Sequence, residues 1–234
     1  MSSANRTVIV TGAAGTLGKA VTAAFADLGE NLVLVDLNRA ALEKAFGSEN
    51  DRRLFAPANL LEIAETSGVA QAALARFGRI DVLCNIAGGF RMGETVHETS
   101  DENWNFLFDI NARTVLHAVR AVVPHMLSAG DGKIVNVGAF AAQKGAALMA
   151  AYTASKATVI RMTEAMAAEL RGKNINVNCV LPTIIDTPEN RAAMPKANPD
   201  KWIAPGDLAN VIVFLASDAA RAVHGAAVPV TALS

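Results

Sequence analysis

The stretch Lys133 to Lys156, KIVNVGAFAAQKGAALMAAYTASK, decides how the chain is read. It opens as a buried, β-branched strand, Ile134-Val135-Asn136-Val137, runs through small residues, and enters a helix at Tyr152. Tyr152 and Lys156 stand four apart, so on a helix they share a face one turn apart. An ammonium beside a phenol favours the phenolate and lowers its pKa from about 10. A phenol tuned that way can donate or accept a proton near neutral pH. Alone, Tyr-x-x-x-Lys is short and reads as a chance helical pair. Its weight comes from position, after the fifth strand of a β/α chain that opens on a glycine-rich loop.

A chain of 234 residues suits one α/β domain, 1–234, with a single core. A formal net charge of −1 gives no electrostatic case for nucleic acid or an anionic membrane. No apolar run reaches the roughly 20 residues that span a bilayer, and the polar start MSSANRT does not read as a signal peptide. Together these lead to an expected cytoplasmic location. Cys84 and Cys179 fall in predicted strands and read as small core thiols in a reducing compartment. No Cys/His cluster has metal-ligand spacing, so no metal is expected.

Thr7 to Thr11 reads as a strand. Gly12, Gly15, Thr16, Leu17 and Gly18 then form a G-x-x-G-x-x-G turn into an alanine-rich helix ending near Leu28. Strand, glycine turn, helix is the setting in which backbone N–H groups at a helix start hold a dinucleotide pyrophosphate. A second strand, Asn31 to Asp36, ends on a carboxylate about 20 residues on, where an acid meets the adenosine ribose hydroxyls and repels a 2′-phosphate. This favours NAD(H) over NADP(H). Asp36 as a helix cap ahead of Leu37-Asn38-Arg39 is the alternative. Arg53 to Asn59 reads as a third strand, ending Asn59-Leu60, and Ile80 to Gly88 carries a fourth, ending Asn85-Ile86-Ala87-Gly88. A long helix is expected from about Asp101 to Leu127. Its apolar stripe holds Leu107, Val115, Val119, Val122 and Met126, and also Asn111, which unaided reads as a satisfied core amide. After a sixth strand, Ile175 to Leu181, four prolines between 182 and 199 argue for an irregular loop over 182–204. Loops beyond strand carboxyl ends build the ligand site in such folds. Phe90, Met194 and Trp202 could wall that site, or be ordinary packing residues.

In these motifs the chain resembles the short-chain dehydrogenase/reductase family over essentially its whole length. The resemblance implies a doubly wound, mostly parallel seven-stranded Rossmann sheet with helices on both faces. It implies an oxidoreductase passing hydride between a nicotinamide and a small-molecule carbonyl or planar conjugated substrate. Tyr152 would be the acid/base, Lys156 would tune it and hold the nicotinamide ribose, and Asn111 would hold a water in a proton relay. Asn59 would lie at the adenine, with Leu60 beside it. Asn85, Ala87 and Gly88 would line the cofactor, as would Pro182 and Ile185, and Thr187 would hold the carboxamide. The two helices carrying Asn111 and Tyr152 would pack between subunits of a homodimer or homotetramer.

One departure is chemical. The family places a serine thirteen residues before the tyrosine, and here that position is Ala139, followed by Phe140. This alanine, the glycine spacing, Cys84 with Ala87-Gly88-Gly89, and Asp186-Thr187-Pro188 with Asn190-Arg191, Met194-Pro195 and Trp202 resemble the family's dihydropteridine reductase branch, which works without the serine. The same alanine leaves room for a rival expectation, a non-catalytic NAD-binding protein.

Overall fold

The computed structural model describes residues 5–232, so part of the polar opening lies outside the described residues. The chain alternates strand and helix. β1 (Thr7–Thr11), α1 (Thr16–Asp27), β2 (Asn31–Val35), α2 (Arg39–Phe46), β3 (Arg53–Phe55), α3 (Ile63–Phe77) and β4 (Val82–Asn85) form the first half. The second half holds α4 (Asp101–Phe108), α5 (Thr114–Ala129), β5 (Gly132–Val137), α6 (Ala150–Leu170), β6 (Ile175–Pro182), α7 (Pro188–Ala193), α8 (Pro205–Leu215) and β7 (Ala227–Val230).

The sheet order is β3-β2-β1-β4-β5-β6-β7, and every adjacent pair is parallel. The five inner strands are buried on both faces, with side chains alternating between two cores. Ile9, Val33, Leu83, Ile134 and Val177 face α3, α5 and α6. Val8, Leu32, Val82, Val135 and Val180 face α1, α2 and α8. Parallel strands need helical crossovers, which is why the strands read as near-continuous apolar runs. The order reverses between β1 and β4, leaving a crevice beyond their carboxyl ends. That junction is pinned at the opposite, amino ends of the same two strands, where buried Asp81 accepts from the Thr7 backbone N–H at 2.7 Å.

Polar groups inside the sheet are paired in series. Asn85 donates to Asn136 Oδ1 at 2.8 Å, Asn136 donates to Thr163 Oγ1 at 2.8 Å, and Thr163 donates to the Val159 carbonyl. β4, β5 and α6 are thereby tied through their interior.

Four elements differ from the sequence reading. β3 ends at Phe55, although Ala56 and Ala58 still donate to the Leu34 and Asp36 carbonyls, and Pro57 between them sits on the sheet edge facing away from β2. The expected 101–127 helix is broken by a π-helical turn at Asp109–Arg113 and then runs on to Ala129. The 182–204 loop contains a real helix, α7, with Thr187 as N-cap accepting from Asn190 N and Pro188 at its start. Finally, α2 is capped by Asn38, whose side chain accepts from Ala41 N, and not by Asp36.

Replacing Asn136 with Ala removes both middle bonds of the Asn85–Asn136–Thr163 chain and strands buried polar groups. It should cost about 1–3 kcal/mol of stability, read as a lowered urea midpoint; an unchanged midpoint would show that the chain is not stabilising.

Candidate active site

A cavity of about 720 Å³ lies at the β1/β4 reversal. Its floor is the glycine turn. Gly12 has φ +61°, and a Cβ there would come within 2.8 Å of the Ala87 Cα. A Cβ on Gly18 would lie 2.1 Å from the Gly12 carbonyl oxygen. Neither position has room for a side chain, so the turns after β1 and β4 meet backbone to backbone. The first α1 bond runs from Lys19 N to Gly15 O. The N–H groups of Thr16, Leu17 and Gly18 therefore lack an acceptor one turn back, and no acidic side chain occupies that turn. With Gly15, these residues line the cavity. The arrangement fits a diphosphate: bare N–H groups, the positive end of a helix dipole, and a floor that admits close approach.

Asp36 lines the same cavity and accepts from Ala14 N at 3.0 Å and Leu37 N at 2.8 Å. No Lys or Arg lines this cavity; Arg39 is paired instead with Glu43 and Glu49. Asn59 and Leu60 also line it. The Asn59 amide oxygen accepts from Leu61 N, so it shapes the turn into α3. Ala87, Gly88 and Thr187 line it as well.

Gly88 joins this cavity to the second half of the site. A Cβ on it would stand 3.0 Å from both Asn111 Oδ1 and Lys156 Nζ. Asn111, in the π turn, grips the neighbouring glycine. Its Oδ1 accepts from Gly89 N at 2.9 Å, while its Nδ2 donates to Gly89 O at 3.1 Å and to Ser155 Oγ at 3.0 Å. Lys156 is buried and donates to the Val137 carbonyl at 2.8 Å. Tyr152 packs edge-on against Phe90, ring centres 4.8 Å apart.

The electrostatics correct the expected tuning. Burial pushes the Tyr152 phenol up to about 12, and Lys156 is not among the groups that move it. Burial also pulls the Lys156 ammonium down to about 8, with no carboxylate beside it. As arranged, Tyr152 is a protonated phenol and Lys156 faces a strand carbonyl.

The two hydroxyls nearest Tyr152 in sequence are engaged elsewhere. Ala139 is buried in the core. Ser155 Oγ donates to the Tyr152 carbonyl, and Thr153 Oγ1 bonds the carbonyls of Met149 and Ala150. Several expected residues lie away from the cavity. Asn85 spends its amide between strands, as the structural hydrogen-bonder for the central strands that the sequence suggests. Pro182 ends β6, and Ile185 pairs with Ile203 in an isolated bridge. Trp202 is 8% exposed, packed beside buried Ile203, so it is no open wall. Met194 is the C-cap of α7, whereas Phe140 and Phe90 are half-exposed.

Ile110, Thr114 and Glu189 line the cavity without having been singled out. Ile110 and Thr114 flank Asn111 on adjacent turns, and the Thr187-Pro188 cap signature marks where Glu189 stands. Both signals were in the sequence.

A family model described as short chain dehydrogenase matches residues 6–198. The D-threitol dehydrogenase of Mycolicibacterium smegmatis is 34% identical, covering 94% of this chain and 89% of its own. The cis-4-hydroxycyclohexanecarboxylate dehydrogenase of Sinomonas cyclohexanicum is 32% identical, covering 95% and 94%. Among solved structures, a 3-ketoacyl-(acyl-carrier-protein) reductase from Brucella melitensis complexed with NADH superposes with a TM-score of 0.86 at 28% identity, covering 97% of this chain and 98% of that one. Among the described residues no helix is long and apolar enough to cross a membrane, and no cluster of metal-ligating side chains occurs.

The Lys156 shift has a testable sign. Its folded pKa lies below the ordinary 10.5, so the unfolded chain binds more protons between about pH 8 and 10.5. The group's contribution to stability therefore rises with pH across that window. Comparing wild type with Lys156→Met by chemical denaturation, the difference should move in favour of wild type by about 2 kcal/mol between pH 7 and pH 10. A pH-independent difference would contradict the buried, pKa-depressed ammonium.

Proposed function

The chain belongs to the short chain dehydrogenase family, and we propose that it is an NAD(H)-dependent oxidoreductase in which Tyr152 carries the proton. The observation that carries this reading is Gly88, which lines the cavity and abuts both Lys156 and Asn111. A ligand in the cavity would therefore lie against Gly88, with Lys156 and Asn111 directly behind it.

A bound nicotinamide cofactor supplies or accepts a hydride at the ring carbon opposite its nitrogen. The chain does the rest. The N–H groups of Thr16, Leu17 and Gly18 bind the pyrophosphate, and Asp36 takes the adenosine ribose hydroxyls. Two carboxylates, Asp36 and Glu189, and no cation border the cavity, which supports NAD(H) over NADP(H). In the reducing direction the Tyr152 phenol gives its proton to the substrate atom that gains charge as the neighbouring carbon receives hydride; the C=O or C=N bond becomes C–OH or C–NH. Lys156 and Asn111 supply the return path for the proton. Thr187 would reach the carboxamide, and 182–204 would be the substrate-side loop.

Ala139 shapes the choice of substrate. Loss of a donor at a developing alkoxide costs on the order of 2.7–4 kcal/mol where such a donor acts as in an oxyanion hole. A planar conjugated acceptor, such as a quinonoid pterin, delocalises the charge and needs that donor less. The relatives named above act on a polyol and a hydroxy acid, so the ordinary carbonyl or alcohol class stands beside it. A non-catalytic NAD-binding role is the second reading, favoured by the buried Ala139 with no hydroxyl in its place. Exposed Leu116 and Leu127 on α5 suit a homo-oligomer packed through that helix.

NADH oxidation should be measured with quinonoid dihydropterin and a small ketone panel, beside NADPH. Turnover with NADH and its loss by at least about a thousandfold in Tyr152→Phe, with NADH binding retained, is the expected result. Full activity in Tyr152→Phe would sink the proton-transfer role. Tight NADH binding with silence across the panel would favour the non-catalytic reading.

A further inference from the structure

We propose that Arg91 selects substrates that carry a carboxylate on an apolar body, holding the carboxylate while the reacting carbon lies at Tyr152. The assignment rests on the oxidoreductase reading and adds a substrate class to it.

Arg91 follows β4 by a few residues and, together with Tyr152, Leu148 and Met149, walls one narrow cleft. It also borders an adjoining recess of about 330 Å³ with Met92, Glu94, Ser100, Glu102 and Asn103. Its guanidinium carbon lies 3.8 Å from the centre of the Phe106 ring. Stacking on an aromatic face fixes the guanidinium plane and leaves its N–H groups, which lie in that plane, available at the edge. Among the described residues its ion pair is with Glu102 at 3.7 Å, and Glu102 is 87% exposed. An exposed pair of that length is worth little and is readily exchanged for a better acceptor.

The nearest other acid does not compete. Glu94 accepts from Ser100 N, Ser100 Oγ and Asn103 Nδ2, so its carboxylate is engaged at the start of α4. The apolar half of the recognition comes from Met92 and Leu148, exposed side chains lining the cleft, with exposed Phe90 packed edge-on against its Tyr152. Isolated exposed apolar residues need no explanation, but three around a cleft that also holds a tyrosine and a stacked arginine make an amphipathic mouth.

The mouth is also held in place. Gly93 N donates to the Leu148 carbonyl at 2.9 Å, joining the loop that bears Arg91 to the one leading into α6. Leu148 adopts φ +62° there, a conformation that costs a branched residue about 1–3 kcal/mol and persists only where the surroundings impose it. Arg91 is therefore kept at a fixed offset from the start of the Tyr152 helix. A carboxylate meeting such a fork can form two parallel charge-assisted hydrogen bonds, which neither an amide nor an ester can match.

Calorimetric titration of the NADH-loaded protein with 2-naphthoate and with its neutral counterpart 2-naphthamide tests the assignment. The acid should bind at least about tenfold more tightly than the amide, and in Arg91→Gln the ratio should fall to about one. Equal affinities in wild type, a ratio that survives Arg91→Gln, or failure of both probes to bind would each overturn it while leaving the oxidoreductase reading intact. Failure of NADH itself to bind would overturn that reading, and the Arg91 assignment with it.

Discussion

The site depends on one close approach, that of the turn after β1 to the turn after β4. Gly12 and Ala87 meet backbone to backbone because neither a Cβ at Gly12 nor one at Gly18 can be accommodated. This contact sets the separation of the two strand ends at which the sheet order reverses. The bare N–H groups of α1 then face one side of the crevice, and Gly88, with Lys156 and Asn111 behind it, faces the other. A larger residue at Gly12 would force the strands apart and would act on both halves at once.

Much of this was legible in the sequence because it follows from short-range rules. β-branched runs gave the strands, glycines gave the turn, and Asp36 fell at the spacing a ribose acid needs. Tyr152, Lys156 and Asn111 follow the family pattern, and Lys156 and Asn111 do meet at Gly88. What local rules missed was set by tertiary contacts. The π turn at Asp109–Arg113 places Asn111 over Gly89 and Ser155, and no propensity reports that. Trp202 looked like a pocket aromatic but is drawn into packing beside Ile203. Counting prolines hid α7, although Thr187-Pro188 is itself a helix start.

The charge state of the tyrosine and lysine is the clearest case of environment overriding pattern. Four-residue spacing puts both on one helix face, and from that alone the ammonium should acidify the phenol. Burial acts on each separately and in opposite directions, raising the phenol and lowering the ammonium. The lysine meanwhile finds its partner in the Val137 carbonyl. Both shifts favour the neutral forms, which is what a dry pocket without a counter-ion imposes. The buried methyl of Ala139 adds to that dryness.

The bond from Thr7 to Asp81 bears on the order in which the molecule is made. It joins positions 74 residues apart and fastens β1 to β4. β1, α1 and β2 are contiguous, so they can assemble from nearby chain as it is synthesised. β4 must arrive later and pair with a strand already flanked on its other side. Loop closure over such a distance is slow compared with local pairing. The cavity therefore has only one wall until β4 docks. A ligand held between its two walls would slow unfolding more than it would speed folding.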